Sequence, residues 1–213
     1  MNAERIFAGH FQTCPLIAIL RGMTPDMAGD IGEALVAAGI RVIEVPLNSP
    51  AALDSIARLA KQVGQRAMIG AGTVLDPQDV ARIADAGGQI IVSPNPDPAV
   101  IKATVQAGLV SAPGYFTPGE GFAALAAGAH VLKLFPAEAA SPAVVKAHRA
   151  VLPPATPLLV VGGIMPGSMA DYLAAGANGF GLGSAVYRPG QSPETVAAQA
   201  REFIRALEQA GCA

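Results

Sequence analysis

A single repeated unit constrains this chain more than any other feature. A short apolar run is followed by a turn, then by an amphipathic stretch, and in five places by Ala-Gly before the next apolar run; the glycines are Gly39, Gly87, Gly108, Gly128 and Gly176. Glycine just past a helix accepts the left-handed conformation that ends it. The apolar runs are eight, at 16–20, 42–47, 67–72, 90–93, 109–112, 131–135, 158–161 and 179–182. Between and after them the spacing predicts helices over 25–38, 50–63, 77–86, 98–107, 118–127, 142–151, 167–175 and 193–209. Seven of these helices are preceded by Thr, Ser or Asp followed by Pro, as in Thr24-Pro25, Ser49-Pro50, Asp76-Pro77, Asp97-Pro98, Thr117-Pro118, Ser141-Pro142 and Ser192-Pro193. An acceptor side chain before a proline at the first helical position is a helix start.

Strands that are apolar without alternation are buried on both faces, which points to a parallel sheet covered by helices. Eight such units close a barrel, so the expected fold is a single-domain α/β (β/α)8 TIM barrel over residues 1–213, with 1–14 as an N-terminal extension. An open doubly wound sheet is the alternative. No G-x-G-x-x-G fingerprint follows the first apolar run, which counts against it.

Composition excludes several function classes. A net charge of −2 without a basic stripe argues against nucleic acid as a partner, and with Trp absent and aromatics at 5% there is no evident platform for stacking bases. Residues 1–13 lack the apolar core of a signal peptide. The uncharged run 150–170 is broken by Pro153, Pro154, Pro157 and Pro166, so a membrane span is not expected there. Cys14 and Cys212 read as reduced thiols of a cytoplasmic protein.

In a barrel the chemistry gathers at the C-terminal ends of the strands. Lys133 is the sharpest signal there. It is one of four lysines, and it alone stands inside an apolar strand, Val131-Leu132-Lys133-Leu134-Phe135, sharing a face with Val131 and Phe135. Burial favours the neutral amine, the form that attacks a carbonyl. A structural ion pair is the competing reading. Glu44 interrupts another apolar strand on the face of Val42 and Pro46. It suits a proton shuttle, a partner for Lys133, or both.

Gly162-Gly163 and Gly181-Leu182-Gly183-Ser184 follow the seventh and eighth strands, where barrels commonly hold phosphate on backbone N–H groups. Tight turns also need glycine. Arg21 ends the first strand and is placed to clamp an anion, or to pair with Glu44 or a surface acid. Thr73 closes Gly70-Ala71-Gly72-Thr73 and offers a hydroxyl to a carboxylate or to a helix terminus. His10, His130 and His148 fall on unrelated elements, so no histidine metal site is expected.

With these residues in view, the chain resembles the bacterial 2-keto-3-deoxy-6-phospho sugar-acid aldolases from Pro15 to Arg205. The resemblance rests on Ile19-Leu20-Arg21-Gly22, Ile43-Glu44-Val45, Gly70-Ala71-Gly72-Thr73, Leu132-Lys133-Leu134-Phe135-Pro136, Val161-Gly162-Gly163 and Gly181-Leu182-Gly183-Ser184. It implies a class I lyase without metal or cofactor, assembled as a homotrimer, that releases pyruvate from a phosphorylated keto acid. It makes Lys133 the Schiff-base lysine and Glu44 the acid/base. Arg21, Thr73, Val161, Gly162, Gly163, Gly183 and Ser184 then bind substrate. Asn48 and Val161 stand where the gluconate branch of the family usually has Arg and Thr, which makes cleavage of the galactonate epimer to pyruvate and D-glyceraldehyde 3-phosphate the expected reaction. Pro136-Ala137-Glu138 is more similar to the gluconate branch, so that epimer, or both, is the alternative. A phosphate-binding isomerase or synthase, or a non-catalytic phospho-ligand module, would keep the glycine turns and leave Lys133 without a task.

Overall fold

A computed structural model describes residues 3–211, so Cys212 lies outside the described residues. Eight parallel strands close on themselves in sequence order: β1 Leu16–Ile19, β2 Val42–Pro46, β3 Met68–Gly72, β4 Ile90–Ser93, β5 Val110–Tyr115, β6 Leu132–Leu134, β7 Leu158–Val161 and β8 Gly179–Leu182. Parallel pairing of β1 with β8, Ile17 opposite Gly181, completes the ring. The helices are α1 Ala3–Thr13, α2 Pro25–Ala38, α3 Ala52–Val63, α4 Asp79–Asp85, α5 Pro98–Gln106, α6 Pro118–Ala126, α7 Pro142–Arg149, α8 Met169–Ala174 and α9 Pro193–Gln209. The open-sheet alternative is thereby excluded. No helix among the described residues is long and apolar enough to cross a membrane.

Local chemistry explains most element ends. Asp97, Thr117 and Ser192 each accept backbone N–H bonds at the starts of α5, α6 and α9, and Glu120 reciprocates at Thr117 to make a capping box. Each of the five Ala-Gly marks ends its helix in one way. At the first, Gly39 (φ 110°) donates to Val36 O while Ile40 donates to Leu35 O, a Schellman pair of bonds that satisfies two terminal carbonyls. The same pairing recurs at Gly87, Gly108, Gly128 and Gly176.

Two expected helix starts move. Ser49 does not cap α3; its hydroxyl accepts the Gly22 N–H at 2.9 Å across the barrel rim, and the chain turns left-handed at Ala51 before the helix begins. Asp76 takes the Gln78 N–H in an Asx turn, which delays α4 to Asp79. In place of one helix over 167–175, a 3-10 turn Pro166–Ser168 leads into the shorter α8. β5 runs past the expected end at 112 because Pro113-Gly114, a turn signal in isolation, stays extended here. A Cβ at Gly114 would collide with the Pro94 carbonyl, so the glycine serves close approach of neighbouring strands instead of a turn.

Period-two geometry divides the apolar side chains into two layers. Ile43, Val45, Leu132 and Leu134 face outward into the layer shared with the helices. Val42, Val131, Ile17, Met68, Ile90, Val110 and Leu159 fill the barrel interior. Within the N-terminal extension, α1 lays Phe7 against this interior cluster, and Phe7 and Phe11 stack at 5.1 Å between centroids. The helix thus stoppers the end of the barrel opposite the strand C-termini.

Candidate active site

Lys133 and Glu44 both project into the barrel above this apolar plug, as the strand parity predicts. Their neighbours two residues back, Val131 and Val42, belong to the interior cluster. Lys133 is 7% exposed and Glu44 3%. Glu44 fits because β3 carries Gly72 beside it; a Cβ there would overlap the carboxyl group. Glu44 Oε2 is buried and has no hydrogen-bond partner among the described residues. Lys133 Nζ lies 4.7 Å from the centroid of the Phe135 ring.

Among the described residues no ion pair within 4.0 Å joins Lys133 to Glu44, and Arg21 pairs with neither Glu44 nor a surface acid. The structural ion-pair reading of Lys133 therefore loses its contact. The two groups nevertheless feel each other. Burial pushes the Glu44 carboxyl up to about 7, against the opposing pull of Lys133 and then Arg21. Burial also pulls the Lys133 ammonium down to about 8; Glu44 holds it up and Arg21 pushes it down further. Near neutrality this leaves an amine that sheds its proton readily beside a carboxyl that can give or take one.

Arg21 stands at the rim after β1, where Asn48 from the end of β2 accepts its Nη1–H at 2.8 Å. Asn48 thus orients the guanidinium while leaving its charge unneutralised. Thr73 follows β3 with φ 56°, a left-handed conformation that a β-branched residue rarely adopts. Strain of this kind collects at functional sites. On the far side, Val161 ends β7 inside the barrel, and Gly162 and Gly163 turn left-handed at φ 116° and 63°. After β8, Gly183 has open space where a Cβ would stand, and Ser184 beside it is exposed. Gly183 O accepts from the Val186 and Tyr187 N–H groups, which makes this segment a helical turn.

The structure brings Arg21, Glu44, Thr73, Lys133, Val161, Gly162, Gly163, Gly183 and Ser184 to one end of the barrel. The histidines stay apart: His10 lies on α1, His130 Nδ1 accepts the Ser111 N–H at 3.0 Å, and His148 shares a hydrogen bond with Tyr115 behind the barrel wall. Three features escaped the sequence reading. The Asn48–Arg21 bond was discoverable, since both residues end adjacent strands. The Ser49–Gly22 bond was masked by a convincing capping pattern. Glu138 was marked only as part of Pro136-Ala137-Glu138, and nothing in that segment told that its carboxylate lies over the Gly162-Gly163 turn.

Comparison with known proteins agrees with this arrangement. The family model described as "KDPG and KHG aldolase" matches residues 8–197. The chain is 48% identical over 194 residues to the "Probable 2-dehydro-3-deoxy-6-phosphogalactonate aldolase" of Rhizobium meliloti (strain 1021), covering 91% of this chain and 92% of that protein. It is 37% identical over 164 residues to the "KHG/KDPG aldolase" of Escherichia coli (strain K12), covering 76% of each. A solved structure titled "Native KDPGal structure" superposes with a TM-score of 0.91 at 46% identity, over 92% of this chain and 96% of that one.

Proposed function

The chain belongs to the family of KDPG and KHG aldolases, and from that premise we propose that it cleaves 2-dehydro-3-deoxy-6-phospho-D-galactonate to pyruvate and D-glyceraldehyde 3-phosphate as a class I aldolase. The observation that carries the reading is the burial of Lys133 and Glu44, with no ion pair between them among the described residues, on the interior face of a closed barrel.

The neutral Lys133 amine adds to the C2 ketone. Glu44 delivers the proton that lets water leave the carbinolamine, and an iminium forms between Nζ and C2. Glu44, now the carboxylate, accepts the proton of the C4 hydroxyl. The C4–O electrons form the aldehyde, the C3–C4 bond breaks, and its electron pair moves into the C2–N iminium to leave a neutral enamine. The aldehyde departs. Protonation at C3 and addition of water at C2 then free pyruvate and return the amine. The charged intermediate that a direct cleavage would need, a carbanion beside a ketone, never forms.

Arg21 lies close enough to disfavour the charge on Lys133 and to favour that on Glu44. This supports Arg21 holding the C1 carboxylate, with the Thr73 hydroxyl assisting. The glycine turns after β7 and β8, with Ser184, then receive the phosphate at the other end of the substrate. Two residues support the galactonate epimer. Val161 presents no hydroxyl to the substrate, and Asn48 is occupied with Arg21. The greater identity to the galactonate-named relative points the same way. The resemblance noted in the sequence supports one aldolase-type barrel domain over 1–213, a homotrimer and a cytoplasmic setting.

The test is pyruvate release from each C4 epimer, with Lys133→Ala alongside. A strong galactonate preference that the variant loses is the expected result. Preference for the gluconate epimer would overturn the reading of Asn48 and Val161 while keeping the chemistry. No pyruvate from either would overturn the activity itself.

A further inference from the structure

The space over the Gly162-Gly163 turn already faces a carboxylate. A Cβ on Gly162 would overlap Glu138 Oε2, and one on Gly163 would come within 2.8 Å of Glu138 Cγ. Glu138 belongs to the 3-10 turn Ala137–Ala139 that follows β6, the strand of Lys133. The turn is anchored through the buried side chain of Ala137, whose backbone N would stand 2.9 Å from the same Gly162 Cβ. The Glu138 side chain is exposed, and among the described residues no hydrogen bond or ion pair is recorded that would hold it in place. A fixed backbone therefore carries a free negative charge directly over a left-handed glycine turn.

We propose that Glu138 is a charged flap over the phosphate subsite, which the phosphate monoester must swing aside to reach the Gly162-Gly163 turn. This rests on the reading of the glycine turns as the phosphate cradle. A carboxylate and a phosphate dianion repel at this range, and a flexible glutamate with no partner to lose yields by side-chain rotation. The flap weakens ground-state binding of the phosphorylated tail. It does so more for the dianion than for the monoanion, and phosphate monoesters change between the two near pH 6. Lys133 chemistry at the other end of the substrate is not involved.

The experiment compares Glu138→Gln, Glu138→Ala and Ser184→Ala with the parent enzyme. The readouts are KM for the phosphorylated keto acid at pH 6 and pH 8, inhibition by inorganic phosphate, and borohydride trapping of pyruvate, which carries no phosphate. Both Glu138 variants should lower KM and the inhibitory phosphate concentration about three- to tenfold at pH 8 and less at pH 6. The pyruvate concentration that half-saturates trapping should not follow. If Ser184→Ala weakens both phosphate readouts while neither Glu138 variant strengthens them, the flap is refuted and the cradle stands. If Ser184→Ala and both Glu138 variants leave them unmoved, the cradle reading falls and takes the flap with it. A rise in KM on losing Glu138 refutes the proposal by showing that the carboxylate helps binding.

Discussion

Replacing Lys133 with Met separates a strained nucleophile from a structural cation. The side chains are similar in length, so packing is largely kept. Burial holds the folded-state ammonium at about 8 against 10.5 for a free lysine. That difference of 10.5 − 8 ≈ 2.5, at ~1.36 kcal/mol for each, makes a folding penalty of about 3 kcal/mol. The folded chain binds this proton less tightly than the unfolded one. The penalty is therefore complete below pH 8 and disappears as pH rises through 10.5. Removing the lysine also removes its attraction for the Glu44 carboxylate, which moves further up and takes a proton, so part of the gain is offset. The expected net stabilisation of Lys133→Met at pH 7 is about 1–3 kcal/mol, or roughly 2–10 °C in Tm for a chain of this size. Urea unfolding followed by circular dichroism, at one protomer concentration, measures it. The advantage should shrink to under about 1 kcal/mol at pH 10, where most of the native penalty has gone. A variant destabilised by more than about 1 kcal/mol at pH 7 would refute the reasoning, as would an advantage that does not shrink with pH, and Lys133 would then be a structural cation.

Three other substitutions probe the rest of the molecule. Glu44→Gln should lower kcat by about 10²–10⁴. Because Glu44 raises the Lys133 value, the rate of pyruvate trapping in this variant should reach its alkaline plateau at lower pH than in the parent, and a curve shifted upward would contradict the coupling. Asn48→Ala releases the Arg21 guanidinium and should raise KM about five- to thirtyfold, a loss of roughly 1–2 kcal/mol of charge-assisted hydrogen bonding, with less change in kcat. Phe7→Ala empties the stopper and should destabilise by about 3–5 kcal/mol in urea unfolding while KM stays within twofold; a large KM change would mean that α1 reaches the site.

Much of this architecture was legible because its signals are local and repeated. Each Ala-Gly mark closes its own helix by two bonds to the preceding turn, so no distant partner has to be known. Lys133 and Glu44 were legible for the opposite reason. A charge inside an apolar strand contradicts its surroundings, and strand parity then assigns it to the interior. Where reading failed, the outcome depended on residues far apart in the chain. Ser49 looked like a cap until Gly22 claimed its hydroxyl, and the run read over 109–112 continues to Tyr115 because Gly114 lets the chain pass close to the Pro94 carbonyl. α1 went unread because an amphipathic segment before the first strand has no repeat to belong to, and only the open end of the barrel gives its phenylalanines a place to bury. Glu138 falls between these cases, since its position over Gly162 depends on how β6 and β7 are staggered.

The stopper formed by α1 makes the barrel a vessel with one mouth. Water expelled when the iminium forms, the aldehyde released at cleavage and the water that later frees pyruvate have to pass the same rim, one after another. A dead end gives the first product and the later water one shared route: the aldehyde leaves by it, and the water that adds at C2 once C3 is protonated comes in by it.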